Sequence, residues 1–322
     1  SWLKARGPGG LPTPLPDRQI GAMESASVLS MGEAVLARPL EANGFQVVER
    51  LPLSGRSAKF RVRKAGYPNE YVAKAVTLHR VPAEDEEAIR QDLLRHSQLP
   101  EHPNVLKLAA SFLDGPVGGS LGMLYLVAPL ASDGDLRSLI SSARGAGQPL
   151  SQPAVLAWAR QMLSGLRHLH KHGVVHRRVA PRKVLLLEGR RRACLTSPEL
   201  PTLLPLRVQD RDELLDWDSR NAYLAPELVQ NKTFDSSVDL WALGCVYFEL
   251  CTLAPPFPAR SLLELPLRVI QGEPDWSALT EADAAPGARE AVGRLLSKDP
   301  RRRPTASEAL AAPPFAAAVR PP

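Results

Sequence analysis

The feature that most constrains this chain is a change of hydrophobic period part-way along it. From Phe45 to Leu78 three short runs, FQVVERLPL, AKFRVRKA and EYVAKAVTL, alternate apolar and polar residues, which predicts three strands joined by hairpins. A charged segment from Ala83 to Leu99 then carries Ile89, Leu93 and Leu94 at helical spacing. Two more strand candidates, VLKLAASF and GMLYLVAPL, flank a glycine-rich turn. From Asp135 onward the spacing is helical, in DLRSLISSA, PAVLAWARQMLSGLRHLHKHG, SSVDLWALGCVYFELCTL and AREAVGRLLSKD. A β-rich part followed by an α-rich part predicts an α+β chain of two lobes, with the join near Pro129. Residues 1–43, which include RGPGGLPTPLPDR, read as a Pro/Gly-rich extended arm.

The 322 residues, 44% hydrophobic and 23% charged, suffice for a sizeable core. Cys194, Cys245 and Cys251 lack metal-ligand spacing and do not pair off evenly. They point to buried thiols in a reducing, intracellular compartment, with the cytoplasm as the expected location. The chain carries no run of eighteen apolar residues, the length a membrane span needs. The net charge of +6 is concentrated: nine Lys or Arg lie between Arg167 and Arg192, against the single acid Glu188. Such a field suits phosphate or an acidic protein surface near Arg178–Arg192. Aromatic residues do not interleave the cluster, so nucleic acid ranks last among partners. His168, His170 and His172 have no acid or cysteine at ligand spacing and read as core histidines.

Four stretches carry a resemblance to a known family. YLAPELV (Tyr223–Val229) is similar to the APE motif, and SSVDLWALGCVYFEL to the D-x-W-x-x-G helix. LLSKDPRRRPTASEAL is similar to the closing segment that carries the arginine partner of the APE glutamate. LYLVAPLASDGDL matches the inter-lobe hinge. Over residues 45–317 the chain thus resembles the eukaryotic protein kinase superfamily, Ser/Thr-kinase-like and near the NIMA-related group. The resemblance implies a bilobal domain over 44–322. Its small β-rich N-lobe with one main helix spans 44–129, and its larger helical C-lobe spans 130–317. It also implies a buried clasp between Glu227 and Arg303, a structural helix through Asp239, Trp241 and Gly244, and a bracing role for His176 and Arg177.

The same resemblance assigns the residues that should do chemistry, and there the chain departs from the pattern. Against L-G-x-G-x-x-G-x-V, the stretch LPLSGRSAKFRV puts Pro52, Ser54 and Ser57 at the three glycine positions. Proline has no N–H to offer a phosphate. Lys74, in YVAK, holds the place of the phosphate-binding lysine, and Asp92 that of its orienting acid, one methylene shorter than the usual Glu. Glu86 and Glu87 are substitutes for Asp92, though each reads better as solvated charge. In HRRVAPRKV, Arg178 stands at the catalytic base, Ala180 at the neutralising lysine and Lys183 at the metal-binding asparagine. An arginine cannot accept a proton near neutrality. In LTSPEL, Ser197 stands at the metal-binding aspartate, and Glu199 is two residues displaced from it. Ala128 falls at the gatekeeper, and Pro129 and Ala131 supply the backbone groups that would face an adenine.

These losses lead to the expectation of a pseudokinase: no enzyme, no metal and no cofactor, acting as a scaffold for one or more proteins or as a subunit of a larger assembly. The alternatives are an atypical nucleotide-dependent transferase or weak Ser/Thr kinase retaining Lys74, and a phosphate or nucleic-acid binder acting through residues 167–192. ATP held without Mg²⁺ by Arg178, Lys183 and Lys74 is the one cofactor left open. Residues 199–225 correspond to an activation segment whose acids, Asp210, Asp212 and Glu213, are placed to fold back on the basic loop, and Thr202 and Ser219 offer phosphorylation sites.

Overall fold

The computed structural model describes residues 32–54, 57–78, 86–115, 122–131, 133–196, 222–259, 261, 264–279 and 284–316. Most of the arm (1–31), together with Ser197, Glu199, Thr202, Asp210, Asp212, Glu213 and Ser219, lies outside the described residues.

Five antiparallel strands make the N-lobe sheet: β1 (Phe45–Ser54), β2 (Ser57–Lys64), β3 (Glu70–Thr77), β4 (Ala110–Asp114) and β5 (Met123–Pro129), in spatial order β1-β2-β3-β5-β4. The alternation in the sequence sorts into two faces. Ala58, Phe60 and Val62 of β2 lie opposite Ala75, Ala73 and Tyr71 of β3, and all six are buried in one cluster. The other face carries Val76, Leu124 and Leu126, which pack with Ile89 and Leu93 of α2 (Glu86–Gln98).

The extended-arm reading is corrected at its C-terminal end, because Glu33–Ala42 forms a helix, α1. Leu36 and Leu40 are fully buried against the sheet, and the Tyr125 hydroxyl donates to the Leu36 carbonyl at 3.2 Å. Burying each leucine is worth about 1.5–3 kcal/mol, enough to hold a helix too short to be stable alone. Two smaller boundaries also move. VLKLAASF pairs as a strand only from Ala110, and the described helix of the Ala83–Leu99 segment begins at Glu86. Val105 makes an isolated bridge with Leu195 and Leu106 N–H donates to Leu195 O, so this stretch is tied to the C-lobe instead.

The C-lobe contains α3 (Leu136–Ala146), α4 (Gln152–Lys171), the hairpin β6 (Val184–Leu187) and β7 (Arg192–Leu195), α5 (Pro226–Val229), α6 (Ser237–Thr252), α7 (Glu264–Gln271), α8 (Ala288–Leu295) and α9 (Ala306–Ala311). Every residue of α6 from Val238 to Cys251 is buried, as expected of a helix apolar on all sides that forms the centre of a core. Gly244 lets α8 cross it closely: a Cβ there would stand 2.9 Å from both the Leu295 Cβ and a Leu296 methyl. Among the described residues no helix is long and apolar enough to cross a membrane.

Candidate functional site

The catalytic-loop region is built outward from one buried carboxylate. Asp239, fully buried on α6, accepts the backbone N–H of His176 at 2.8 Å and of Arg177 at 2.7 Å, and bonds His170 Nε2 at 2.8 Å. These bonds hold Arg177 in the left-handed region (φ 67°), which a non-glycine residue occupies only when its surroundings fix it there. The buried His176 ring meets the Thr196 carbonyl at 3.1 Å. Arg177 packs over the Phe234 ring; burial lowers its pKa, and the nearby carboxylates of Asp92 and Asp239 oppose that.

A second buried carboxylate ties α5 to the end of the domain. Glu227 receives both terminal nitrogens of Arg303, at 2.6 and 2.9 Å, and both residues are buried. Trp241, fully buried, stacks on Phe257, and the Arg303 guanidinium lies 5.0 Å from the Trp241 ring centroid. A third carboxylate, Glu249, collects Arg137, Arg144 and the Tyr223 hydroxyl.

Lys74 is half-buried on β3, directly opposite Leu126 and so on the face that packs against α2. Asp92 is buried, one helical turn from Ile89 on the same side of α2. Its Oδ1 lies 3.3 Å from Arg95, and its charge also reaches Arg177. Glu86 and Glu87 are engaged along their own helix, with Arg90 at 2.6 Å and Gln91 at 2.7 Å. Of the three acids, Asp92 is the one the fold turns inward.

At the stretch that resembles the glycine-rich loop, β1 and β2 pair as far as Ser54 and Ser57. Pro52 is exposed and Ser57 is buried. In the catalytic loop, Ala180 is half-buried and caps the short 3₁₀ turn Pro181–Lys183. The Arg178 N–H donates to His176 Nδ1 at 3.3 Å. Lys183 is fixed through its backbone, which receives Thr196 N–H and donates to Ala180 O, each at 2.8 Å. At the hinge, Pro129 pairs with Tyr71 and Ala128 with Val72, while Leu130 N–H donates to Glu70 O at 3.0 Å. Ala131 follows, half-buried.

Two residues in this region carry no motif. Lys59, half-buried on β2, lies directly opposite Lys74, two residues past Ser57 where the glycine-loop pattern has its valine. Burial lowers its pKa, and Lys183 and Arg182 across the cleft lower it further, partly offset by Asp135. His96, at the end of α2, is pushed down to about 4 by burial, with His176 and Arg95 adding to the shift. Alternation in AKFRVRK marks Lys59 only as a member of a polar face; the sheet register is what sets it beside Lys74.

Other expectations change. His168 is half-buried and stacks on His102, and His172 is exposed with its ring tilted against that of His168. The basic run does not form one bare surface, because helix, loop and hairpin turn divide it. Arg177 is folded over Phe234, Arg191 donates to Glu188 O, and Arg192 pairs with Glu188 at 2.9 Å and donates to Pro103 O. The three cysteines are free and buried, and burial raises the thiols of Cys194 to about 11 and Cys251 to about 12.

Comparison with known proteins settles the family. The model of the protein kinase domain matches residues 54–315. The chain belongs to the protein kinase domain family. It is 28% identical over 246 residues to human serine/threonine-protein kinase Nek5, covering 75% of this chain and 32% of that protein. To mouse serine/threonine-protein kinase Nek1 it is 28% identical over 243 residues, covering 74% and 19% respectively. To the delta subunit of rabbit calcium/calmodulin-dependent protein kinase type II it is 27% identical over 275 residues, covering 84% and 48%. The kinase domain therefore spans less than half the length of each of these relatives. The expectation of a chain that is not an enzyme is corrected by these matches, since the family is that of protein kinases and the relatives are named serine/threonine kinases.

The family's usual Mg²⁺ does not fit the described residues. At the place that the resemblance gives to a metal-binding amide, the side chain of Lys183 offers an ammonium and no oxygen ligand, which a hard dication needs.

Proposed function

We propose that this domain is an atypical, slow Ser/Thr kinase that binds a nucleotide in the inter-lobe cleft and uses Lys74 to hold its phosphates. The observation that carries the reading is the placement of Lys74 on the cleft face of β3, against the helix that turns Asp92 inward. Phosphoryl transfer through a loose transition state asks mainly for positioning and for compensation of charge on the equatorial oxygens. Lys74 and Lys183 are cations of the kind that compensation requires. A carboxylate base is missing at Arg178, and general-base assistance is typically worth about 10²–10⁴ in rate, so transfer is slow. The hinge from Ala128 to Ala131 supports adenine docking through its backbone, and Ala128 leaves room behind the ring. Exposed Arg182, Arg190 and Arg191 favour protein substrates or partners with acidic surfaces. Three buried free thiols support residence in a reducing compartment, such as the cytoplasm.

The test is transfer of labelled γ-phosphate from ATP to a Ser/Thr peptide library, at high protein concentration and over hours. Incorporation that Lys74→Met abolishes supports the reading. Equal incorporation by wild type and Lys74→Met, or none by either, overturns it.

A further inference from the structure

We propose that Ser307 is a phosphorylation site whose phosphoryl group seats in a basic cleft between α4 and α9, on the C-lobe. Ser164, Arg167, His168 and Lys171 stand at positions i, i+3, i+4 and i+7 of α4, so they share one face of that helix. That face is one wall of a cleft of about 540 Å³. Ser236, Thr305 and Ser307 line the other side, where α9 packs against α4. Arg167 and Lys171 are exposed, and neither makes an ion pair or hydrogen bond with another described residue. The surrounding rings leave this charge unanswered. His168 stacks on His102, with centroids 4.7 Å apart, and its Nε2 meets the Pro100 carbonyl at 3.0 Å. Burial lowers the His102 pKa, and His168 and Arg167 lower it further.

The two carboxylates next to the lining residues are engaged elsewhere. Asp239 is buried behind His170 and holds the backbone of His176 and Arg177. Glu308 turns its Oε2 to the Thr305 N–H at 2.8 Å and to the Thr305 hydroxyl at 3.0 Å. This capping box also separates the two hydroxyls of α9. Thr305 Oγ1 accepts the Glu308 N–H as well, at 3.2 Å, so a phosphoryl group there would break the box and stand beside a carboxylate. Ser307 is exposed and takes no part in the box. In the modification, Ser307 Oγ bonds to the γ-phosphorus of ATP on a protein kinase acting on this chain. The bond to the β–γ bridging oxygen breaks, ADP leaves and the hydroxyl proton passes to solvent. The product carries a charge of about −1.5 to −2 near neutrality and three acceptor oxygens, which suit charge-assisted bonds from Arg167 and Lys171. Those bonds tie α9 to α4, the helix whose His170 bonds the Asp239 anchor of the catalytic loop.

Two measurements on the whole chain test this. Fragment mass spectra of the protein isolated under phosphatase inhibitors should place phosphate on Ser307; a bare Ser307, with or without phosphate on Thr305, overturns the proposal. The second measurement follows the phosphate in the chain made with phosphoserine at position 307, by ³¹P NMR across pH. A phosphopeptide of residues 301–311 serves as the solvated reference. In the folded chain the second ionisation of the phosphate should lie about one unit below that of the peptide, because nearby cations favour the dianion. Arg167→Gln with Lys171→Gln should return it to the peptide's value, and the melting curve of the unmodified double variant reports its folding. Salt of about 1 M should remove the difference as well, which tests the same contact without a mutation. A phosphate that titrates like the peptide, or a difference that survives in the folded double variant or at high salt, overturns the proposal.

Discussion

In the C-lobe, Glu227, Asp239 and Glu249 are each at most 4% exposed, and each is answered by donors at hydrogen-bond distance. On the N-lobe sheet, Lys59 and Lys74 stand directly opposite each other on β2 and β3, both half-buried, as like charges at cross-strand distance. One region answers each buried carboxylate with donors, and the other sets two like charges side by side. The charges that hold the lobe together are separate residues with their own partners, so changes at one set need not unfold the other.

The largest way to break this comparison is to open the closed side. Arg303→Ala leaves Glu227 buried and unpaired, and should cost about 3–5 kcal/mol in urea denaturation. Replacing both residues by apolar ones of similar volume should cost much less than that single change. A loss under 1 kcal/mol for Arg303→Ala would show the clasp to be dispensable.

The next largest effect lies at the border of the two regions. His96 is held neutral in the folded protein down to about pH 4, while the unfolded ring takes a proton near 6.5. Stability is therefore full above about pH 6.5 and falls as the pH drops toward 4. The loss is on the order of 2 kcal/mol once the ring's partial exposure is allowed for. His96→Leu should flatten that part of the pH–stability curve; an unchanged slope would locate the dependence elsewhere.

Packing gives a smaller change. Gly244→Ala forces α6 and α8 apart at Leu295 and Leu296 and should cost about 1–3 kcal/mol, read as a lowered melting temperature. The smallest effect has the opposite sign. Lys59→Met removes one member of a like-charged cross-strand pair and should stabilise the ligand-free protein by about 0.2–1 kcal/mol. A raised melting temperature would sharpen the contrast between the two regions, and a lowered one would break it.

Much of the scaffold was legible because it depends on local period. Alternation located the N-lobe strands, and helical spacing with the resemblance to the D-x-W-x-x-G helix marked the structural helix around Trp241. YLAPEL and RRRP named Glu227 and Arg303 through resemblance, although 76 residues separate them. Helix α1 was hidden, because a Pro/Gly-rich neighbourhood and Pro39 within it suggest an arm; its stability comes from Leu36 and Leu40 meeting the sheet. The Arg137–Glu249 pair, 112 residues apart, had no local signal.

By itself the sequence determined which residues alternate and which stretches are helical, since both are properties of neighbours along the chain. Only the tertiary structure decided that Lys59 stands beside Lys74. A residue's face is fixed by the local pleat. What that face meets is fixed by strand register and by the closing of one lobe on the other, and those depend on contacts between residues far apart in the chain.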